Sequence, residues 1–217
     1  MVRGTPTGRV QVNAVDGETQ KQTDPVIIRK TPIMWGIPCD EVMFSKFFTQ
    51  FNKNAGVMPW DAFAIAESTY LPKARNIIHN AFLESNVNYL AMIDSDVLFP
   101  PYAFNRMIAH KLPIVSGWYK NKKGDPYPIV YDFGVEGEKE ITWKHRKEAG
   151  TGLEQVDGFG AGCVLMTRHA AELLGKDPYD MLKSGEDLTM CYKLRQLGIP
   201  LHVDWEVSCA HLGLQWV

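Results

Sequence analysis

Two carboxylates separated by one residue, Asp94 and Asp96, follow a short apolar run and have the residue types and spacing for metal chemistry. The run, Tyr89–Ile93, is too short to cross a membrane and has the length of a strand buried on both faces. Ligands of open α/β sheets bind at the carboxyl ends of strands, where both carboxylates would emerge. Their oxygens suit Mg²⁺ or Mn²⁺, which would relieve their mutual repulsion. The alternative is a strand-end turn in which the aspartates only cap the next segment.

A glycine-rich segment, residues 158–162, precedes a second apolar run at residues 163–166. Glycines at alternate positions allow another backbone or a ligand to approach closely. The segment is not Gly-x-Gly-x-x-Gly and does not open a helix, so it does not predict a dinucleotide site.

Four further polar residues could take part in the same chemistry. Glu186 and Asp187 follow Gly185 at the start of a predicted helix, where the helix dipole favours carboxylates, and simple capping is the alternative. Arg75 falls in the first turn of another predicted helix, where a cation opposes the dipole, so it is either ordinary surface or held for an anion. His211 lies just beyond the last predicted strand, where a lone histidine is more often structural.

The elements that must position these residues alternate along the chain. Predicted strands at residues 32–37, 62–66, 89–93 and 112–118 are separated by helices, which predicts an α/β fold with a mostly parallel central sheet and helices on both faces. The first helix should begin at Asp40 and bury Phe48, and the second should bury Ile77. After the glycine-rich segment follow a strand, a helix capped by Thr167, the helix that begins at Gly185, and a final strand at residues 200–207.

Residues 119–156 interrupt this alternation with a long charged excursion. Residues 127–133 and 141–143 within it predict a small antiparallel pair of strands. Excursions of this length are usually binding loops or mobile lids. Within it, Tyr119, Lys120 and Trp143 are the candidates for contacting a substrate on the acceptor side.

The 217 residues are enough for one domain, predicted over residues 26–217 after a flexible polar tail at residues 1–25. A net charge of −2 gives no global field that would recruit nucleic acid. We find no apolar run long enough to cross a bilayer and no signal-peptide core, and the four cysteines are far apart, so we expect buried thiols and a cytoplasmic protein. The oligomeric state stays open.

The order of these motifs resembles the GT-A fold glycosyltransferases, especially the family-2-like group. The resemblance is carried by Ala74-Arg75-Asn76, by the strand ending in Asp94-Ser95-Asp96, by Gly158-Phe-Gly-Ala-Gly-Cys163 and by Gly185-Glu186-Asp187. It covers most of residues 26–217, and the ordered set is more specific than any single motif. A long polar segment before the first strand departs from the family pattern.

The resemblance implies a single Rossmann-like domain that transfers a sugar from a UDP- or GDP-sugar to an acceptor hydroxyl, with inversion favoured by Glu186-Asp187. The acceptor could be a carbohydrate, a lipid-linked sugar or a protein. The implied metal ligands are Asp94, Asp96 and His211, and Asp187, with Glu186 beside it, is the implied base. Asp94 could instead meet the donor ribose, Arg75 would approach the diphosphate, and Gly160, Ala161 and Gly162 would lie against the donor sugar or acceptor.

Two questions stay open at the level of sequence. Either Asp61 or Glu67 could be the acidic residue that reads the donor base. A haloacid-dehalogenase-type phosphohydrolase also places Asp-x-Asp after an apolar strand, but normally on the first strand of the fold. A non-catalytic nucleotide- or carbohydrate-binding module is the other alternative.

Overall fold

The structure, a computed structural model, describes residues 29–40, 43–121, 127–136, 141–182 and 185–213. The predicted tail at residues 1–25 lies outside them, as do parts of the charged excursion. The strands are β1 Ile33–Cys39, β2 Ala62–Glu67, β3 Tyr89–Ile93, β4 Val97–Leu98, β5 Ile114–Trp118, β6 Val130–Glu136, β7 Ile141–His145, β8 Leu153–Val156, β9 Gly158–Phe159, β10 Cys163–Thr167, β11 Leu201–Ser208 and β12 Ala210–His211. The helices are α1 Ser45–Asn54, α2 Leu71–Glu84, α3 Ala103–Ala109, α4 Arg168–Leu174 and α5 Glu186–Gln196.

A seven-stranded sheet in the order β2-β1-β3-β10-β5-β11-β8 forms the centre of the fold. Strands β2 and β3 both pair in parallel with β1, and β11 pairs in parallel with β5. Strand β10 runs antiparallel between β3 and β5, and β8 runs antiparallel beside β11 at one edge. Five of the seven strands therefore share one direction, which confirms the predicted mostly parallel sheet.

Helices cover both faces of this sheet, because side chains alternate along each strand. One face packs against α2, α4 and α5, with Ile78, Ala170 and Met190 in its core. The other packs against α1 and α3 through an aromatic cluster. In that cluster Trp35 meets Phe51 and Phe104 edge to face at 5.4 and 5.1 Å between ring centroids.

Two small antiparallel sheets complete the described structure. Strands β7, β6 and β9 form one of them, which confirms the strand pair predicted within the excursion. Strands β4 and β12 form the other, with His211 opposite Val97. The second sheet has no counterpart in the sequence prediction, because pairs of only two residues leave no periodic signal.

Some local predictions were wrong. Helix α1 begins at Ser45 rather than at Asp40, with Phe44 in an extended conformation before it. Phe48 is 60% exposed, because α1 buries the row that contains Phe47 and Phe51. Ile77 is 48% exposed, because Arg75 and His79 take the place beside Ala74, Ile78 and Phe82 on the buried face of α2.

Two further findings concern the cysteines and the apolar character of the helices. All four cysteines are free thiols, three of them buried and Cys39 partly exposed, in agreement with the expected absence of disulfides. Across the described part of the chain, no helix combines the length and apolar character needed to cross a membrane.

Candidate active site

The carboxyl end of β3 is held against the glycine-rich segment. Because β10 pairs antiparallel with β3, Cys163 lies opposite Ile93 and Gly162 comes to lie beside Asp94. The Asp94 amide donates a hydrogen bond to the Gly162 carbonyl at 3.0 Å. The sheet register thus joins two motifs that are far apart in the chain.

Arg75 is buried in the centre of this region. Its Nη2 lies 2.8 Å from Asp94 Oδ1 and 3.0 Å from Asp94 Oδ2, its Nη1 donates to the Ala161 carbonyl at 3.0 Å, and its Nε is 3.5 Å from Glu186 Oε1. Although burial opposes the charge, the neighbouring Asp94 leaves the pKa of Arg75 raised, so the guanidinium stays charged. It is therefore the fixed cation around which three of the predicted motifs assemble.

Several interactions shift the pKa of Asp94 in opposite directions. Burial raises the pKa of its carboxyl, Arg75 lowers it, and the Asp96 charge raises it again, so the net direction is upward. Oδ2 accepts the hydrogen bond from Arg75, whereas Oδ1 is buried without a hydrogen bond of suitable geometry. Oδ1 nevertheless lies 2.8 Å from Arg75 Nη2, so the guanidinium is the ion-pair partner of this oxygen too.

Asp96 and His211 meet because β4 pairs with β12. The Leu212 amide donates to the Asp96 carbonyl at 2.7 Å, and His211 Nε2 lies 3.4 Å from Asp96 Oδ1. On the other side of the ring, Nδ1 lies 3.1 Å from the Lys120 carbonyl, which can only accept a hydrogen bond. Nδ1 is therefore the donor of that bond, and Nε2 is the ring nitrogen nearest to Asp96.

Glu186 and Asp187 form the first turn of α5, where the sequence predicts them. Gly185 precedes them with a φ of 133°, which only glycine adopts readily. Asp187 Oδ1 accepts a hydrogen bond from the Leu188 amide at 2.8 Å. Burial, and then the Glu186 charge, raise the pKa of Asp187 to about 6, which is within the range useful to a general base near neutral pH.

Tyr119 connects the glycine-rich segment to the Asp96–His211 pair. Its phenol oxygen accepts a hydrogen bond from the Gly162 amide at 2.9 Å, and its ring meets the His211 ring edge to face at 5.0 Å. A Cβ at Gly160 or Gly162 would lie 2.5 or 2.7 Å from this oxygen. The two glycines are therefore required by packing against Tyr119, a reason that does not depend on a ligand.

The described part of the excursion contacts the same region. A Cβ at Gly158 would lie 2.9 Å from the Trp143 ring and 3.0 Å from Leu188, so β7 packs over the start of the glycine-rich segment next to α5. The Tyr131 ring of β6 meets the Trp143 ring edge to face, with 6.4 Å between the centroids. Burial, and then the Asp187 charge, raise the pKa of Tyr131. Tyr119 and Trp143 thus lie beside the candidate site. That they and Lys120 contact a substrate stays a prediction, and Tyr131 was not predicted.

Asp61 and Glu67, the two candidates for contacting the donor base, lie at opposite ends of β2. Asp61 directly precedes β2 and so lies at the amino ends of the parallel strands, whereas Asp94 lies at their carboxyl ends. The buried carboxylate of Asp61 binds Arg29, Trp35 Nε1 and the Ile33 amide. Asp61 is thus a structural residue, and its assignment as a base-reading candidate was wrong. Glu67 lies at the carboxyl end of β2, opposite Cys39 in register, and stays a prediction.

Tyr179 is a further buried residue that sequence reasoning missed. Its ring lies 5.9 Å from the Arg75 guanidinium, and its backbone N–H and C=O are both bound by Asn76. These bonds fix the loop before α5 to α2, and so position Glu186 relative to Arg75. Tyr179 lies in an irregular segment without periodicity, so no sequence signal could have indicated its burial.

The residues present are compatible with a divalent cation completed by a ligand. Within the described ranges, no group of three or more His, Cys, Asp and Glu side chains is arranged to hold a metal ion alone. Asp96 Oδ1 and His211 Nε2 nevertheless lie 3.4 Å apart, and the Asp94 carboxylate, paired with Arg75, is two residues away from Asp96 in the chain. A site with so few side-chain ligands is typical of Mg²⁺ or Mn²⁺ bound together with phosphate oxygens.

Comparison with known proteins supports the fold. No protein-family model and no curated protein sequence matches the chain. Among solved structures, A197 from STIV is similar with a TM-score of 0.63 and 20% identity, over 85% of this chain and 86% of that chain. GalNAc-T7, solved with UDP, GalNAc and Mn²⁺, is similar with a TM-score of 0.58 and 14% identity, over 84% of this chain but only 44% of that one. The chain thus has the α/β architecture of a GT-A domain, and identities this low show the fold alone.

Proposed function

We propose that this protein is a glycosyltransferase that uses a divalent metal to transfer a sugar from a nucleotide-sugar donor to an acceptor hydroxyl. The observation that carries the proposal is that one end of the central sheet brings together Asp94, Asp96, His211 and the Glu186-Asp187 pair. This is the end at which the parallel strands terminate, where ligands of α/β sheets bind. The presence of UDP and Mn²⁺ in the structure of GalNAc-T7, which has a similar fold, supports the donor and metal classes.

In this proposal, Asp96 and His211 hold Mn²⁺ or Mg²⁺, with Asp94 contributing to the metal or to the donor ribose. The bound cation would supply Lewis-acid stabilisation of the diphosphate leaving group. Arg75 pairs with Asp94 and lies 3.5 Å from Glu186 Oε1, so it positions both side chains, and it would add positive potential for the diphosphate. Gly160, Ala161 and Gly162 provide a surface without bulky side chains against which the donor sugar or acceptor lies.

Asp187 is proposed to take the proton of the acceptor hydroxyl as the new glycosidic bond forms, with inversion at the sugar carbon. Its raised pKa supports this role, since a base must be mostly ionised at the working pH and still accept a proton. The sugar carbon would pass through an oxocarbenium-like transition state, as in glycoside hydrolysis. Glu186 holds the Nε side of Arg75 beside it.

The phosphohydrolase alternative is less compatible with the geometry. A nucleophilic aspartate needs an open carboxylate oxygen in front of the substrate, but Arg75 lies within 3.0 Å of both Asp94 oxygens. The Asp-x-Asp also follows the third strand of the described fold rather than the first. We therefore retain the transferase as the proposed activity.

Thermal unfolding with UDP or GDP, in the presence or absence of Mn²⁺, tests the donor site. A ligand at 100 times its Kd stabilises a protein by about 2.7 kcal/mol, which is readily measured as a shift in Tm. We expect a nucleotide shift that requires Mn²⁺ and is lost in Asp96→Asn, while Glu206→Gln, at an exposed carboxylate, retains it. Stabilisation that is unchanged in Asp96→Asn would refute the proposed metal site.

A further inference from the structure

The strand β2 forms one edge of the central sheet and pairs only with β1 among the described residues. Its six residues pair without a register shift, from Met34↔Ala62 to Cys39↔Glu67. Proteins usually protect an open edge with proline, a bulge or charged side chains. Strand β2 has no proline, and its single charged residue is the last one, Glu67. Among the described strands, none therefore pairs with the outer backbone groups of β2.

Several large apolar side chains are exposed on β2, in the segment that leads into it and on α1. Phe63 and Ile65 are 50% and 59% exposed, and both lie on the α1 face of the sheet, where the Phe63 ring is 6.1 Å from Phe51. Phe48 of α1 and Val57 and Trp60 of the connection to β2 are similarly exposed. We call these five residues, Phe48, Val57, Trp60, Phe63 and Ile65, the β2 edge surface.

The size of this surface is suited to a specific contact. An aromatic side chain buries about 150–250 Å² when covered, so three half-exposed rings and two aliphatic side chains offer on the order of 400 Å² of apolar area. That is comparable with the largest apolar patch found on a typical monomer, which often has a function. It is also about half of the ~800 Å² that each partner contributes to a standard interface, before backbone and rim are added.

We propose that β2 pairs with β2 of a second copy of this chain, so that the two central sheets join across a two-fold axis. An antiparallel pairing centred on Ala64 places Phe63 opposite Ile65 of the partner, and Ile65 opposite the partner's Phe63. Aromatic and β-branched residues in directly opposed positions stabilise antiparallel strands. On the other face only alanines meet, since Ala62 lies opposite the partner's Ala66 and the Ala64 pair lies on the axis.

The pairing satisfies the requirements of a symmetric dimer. A two-fold interface must be self-complementary, which the alternation of small and large residues in Ala62–Glu67 provides. In this arrangement the α1 helices lie on the same side of the joined sheet and bring the Phe48 side chains towards the interface. The carboxyl-end site of each copy stays outside the pairing, because the edge contact uses the length of β2 rather than the end of β3.

Sedimentation velocity of the full chain over a range of concentrations tests the proposal. We expect a particle of twice the chain mass and at least a hundredfold weaker self-association in Ile65→Lys, since the pairing would bury an unpaired cation. Leu173→Lys, at a similarly exposed position on α4, should dimerise like the unmodified chain. Because Ile65 is mostly exposed, the melting temperature of Ile65→Lys should change little, which separates lost pairing from lost folding.

Cysteine cross-linking tests the register. In Ala64→Cys the two thiols would face each other across the axis, and diamide should join them by taking up two electrons and two protons as the disulfide forms. Leu173→Cys and the unmodified chain, with its partly exposed Cys39, should not cross-link under the same conditions. Monomers at every concentration, or an Ile65→Lys variant that still dimerises, would overturn the proposal. So would slow hydrogen exchange, in a monomer, of the β2 amides that point away from β1, since another part of the same chain would then cover the edge.

Discussion

Ionisation of the buried Asp187 should destabilise the folded protein as the pH rises. Replacing Asp187 by asparagine should therefore remove this loss of stability. Burial and the Glu186 charge raise the pKa of Asp187 from its ordinary value of 3.8 to about 6. The folded protein therefore binds this proton more tightly than the unfolded chain does. The contribution of Asp187 to the free energy of unfolding is therefore most favourable below about pH 4. It decreases between about pH 4 and pH 6 and stays low at higher pH.

The magnitude follows from the two pKa values. A difference of about 2 pH units at 1.36 kcal/mol per unit gives at most about 3 kcal/mol, with less expected because part of the Asp187 side chain stays in contact with water. Asp187→Asn cannot ionise, so above pH 7 it should be more stable than the unmodified protein by up to this amount. Near pH 4 the difference should largely disappear.

Urea unfolding at half-unit pH steps from 4 to 8 would measure this difference in the free energy of unfolding. Glu172→Gln, at an exposed carboxylate of α4, is the matched control and should follow the unmodified protein closely. A flat difference between Asp187→Asn and the unmodified protein across this range would refute the buried-base interpretation. A difference of opposite slope would show that the site favours ionised Asp187.

Three further predictions concern the neighbouring residues. Arg75→Met should lower the free energy of unfolding by about 3–5 kcal/mol in urea titrations at pH 7, because it leaves the Asp94 charge buried without a partner. The control Arg195→Met, at an exposed position of α5, should lower it far less. His211→Ala should weaken Mn²⁺ dependence of nucleotide binding without abolishing it, since water can replace one ligand, and an unchanged Mn²⁺ titration would remove His211 from the site. The described excursion strand β7 should exchange its amides faster than β3 in the unliganded protein, and equal protection would contradict a substrate-responsive lid.

The sequence was informative about the fold where hydrophobic patterns were long and regular. The apolar run Tyr89–Ile93 and the alternation in Leu201–Ser208 predicted buried strands, and both are present with the expected faces inward. The sequence also predicted helix α2, but it placed Ile77 on the buried face of the helix, where the structure has Arg75 and His79. Arg75 and His79 are buried there, and polar residues are normally placed on the outside because their burial depends on partners distant in the chain.

The site was partly predictable for a related reason. Asp94, Asp96, Glu186 and Asp187 stand at element ends, where local sequence indicates both exposure and dipole effects. Their assembly around Arg75 depends on the antiparallel insertion of β10 beside β3, a pairing that no local pattern encodes.

The same limit explains the remaining errors. The sequence left both Asp61 and Glu67 as candidates, because the contacts of Asp61 with Arg29 and Trp35 that give it a structural role come from residues 32 and 26 positions away in the chain. Tyr179 and Tyr131 were missed since both lie in segments whose positions are set by tertiary contacts.

The most direct test of the proposed function is release of nucleoside diphosphate from a panel of UDP- and GDP-sugars with Mn²⁺ and acceptor alcohols. The account predicts release from at least one donor by the unmodified protein. It also predicts a decrease of roughly 10²-fold or more in Asp187→Asn, the scale of lost general-base assistance, with nucleotide-dependent stabilisation retained. No release from any donor, together with phosphate release from a phosphomonoester that requires Asp94, would contradict the transferase and favour a phosphohydrolase.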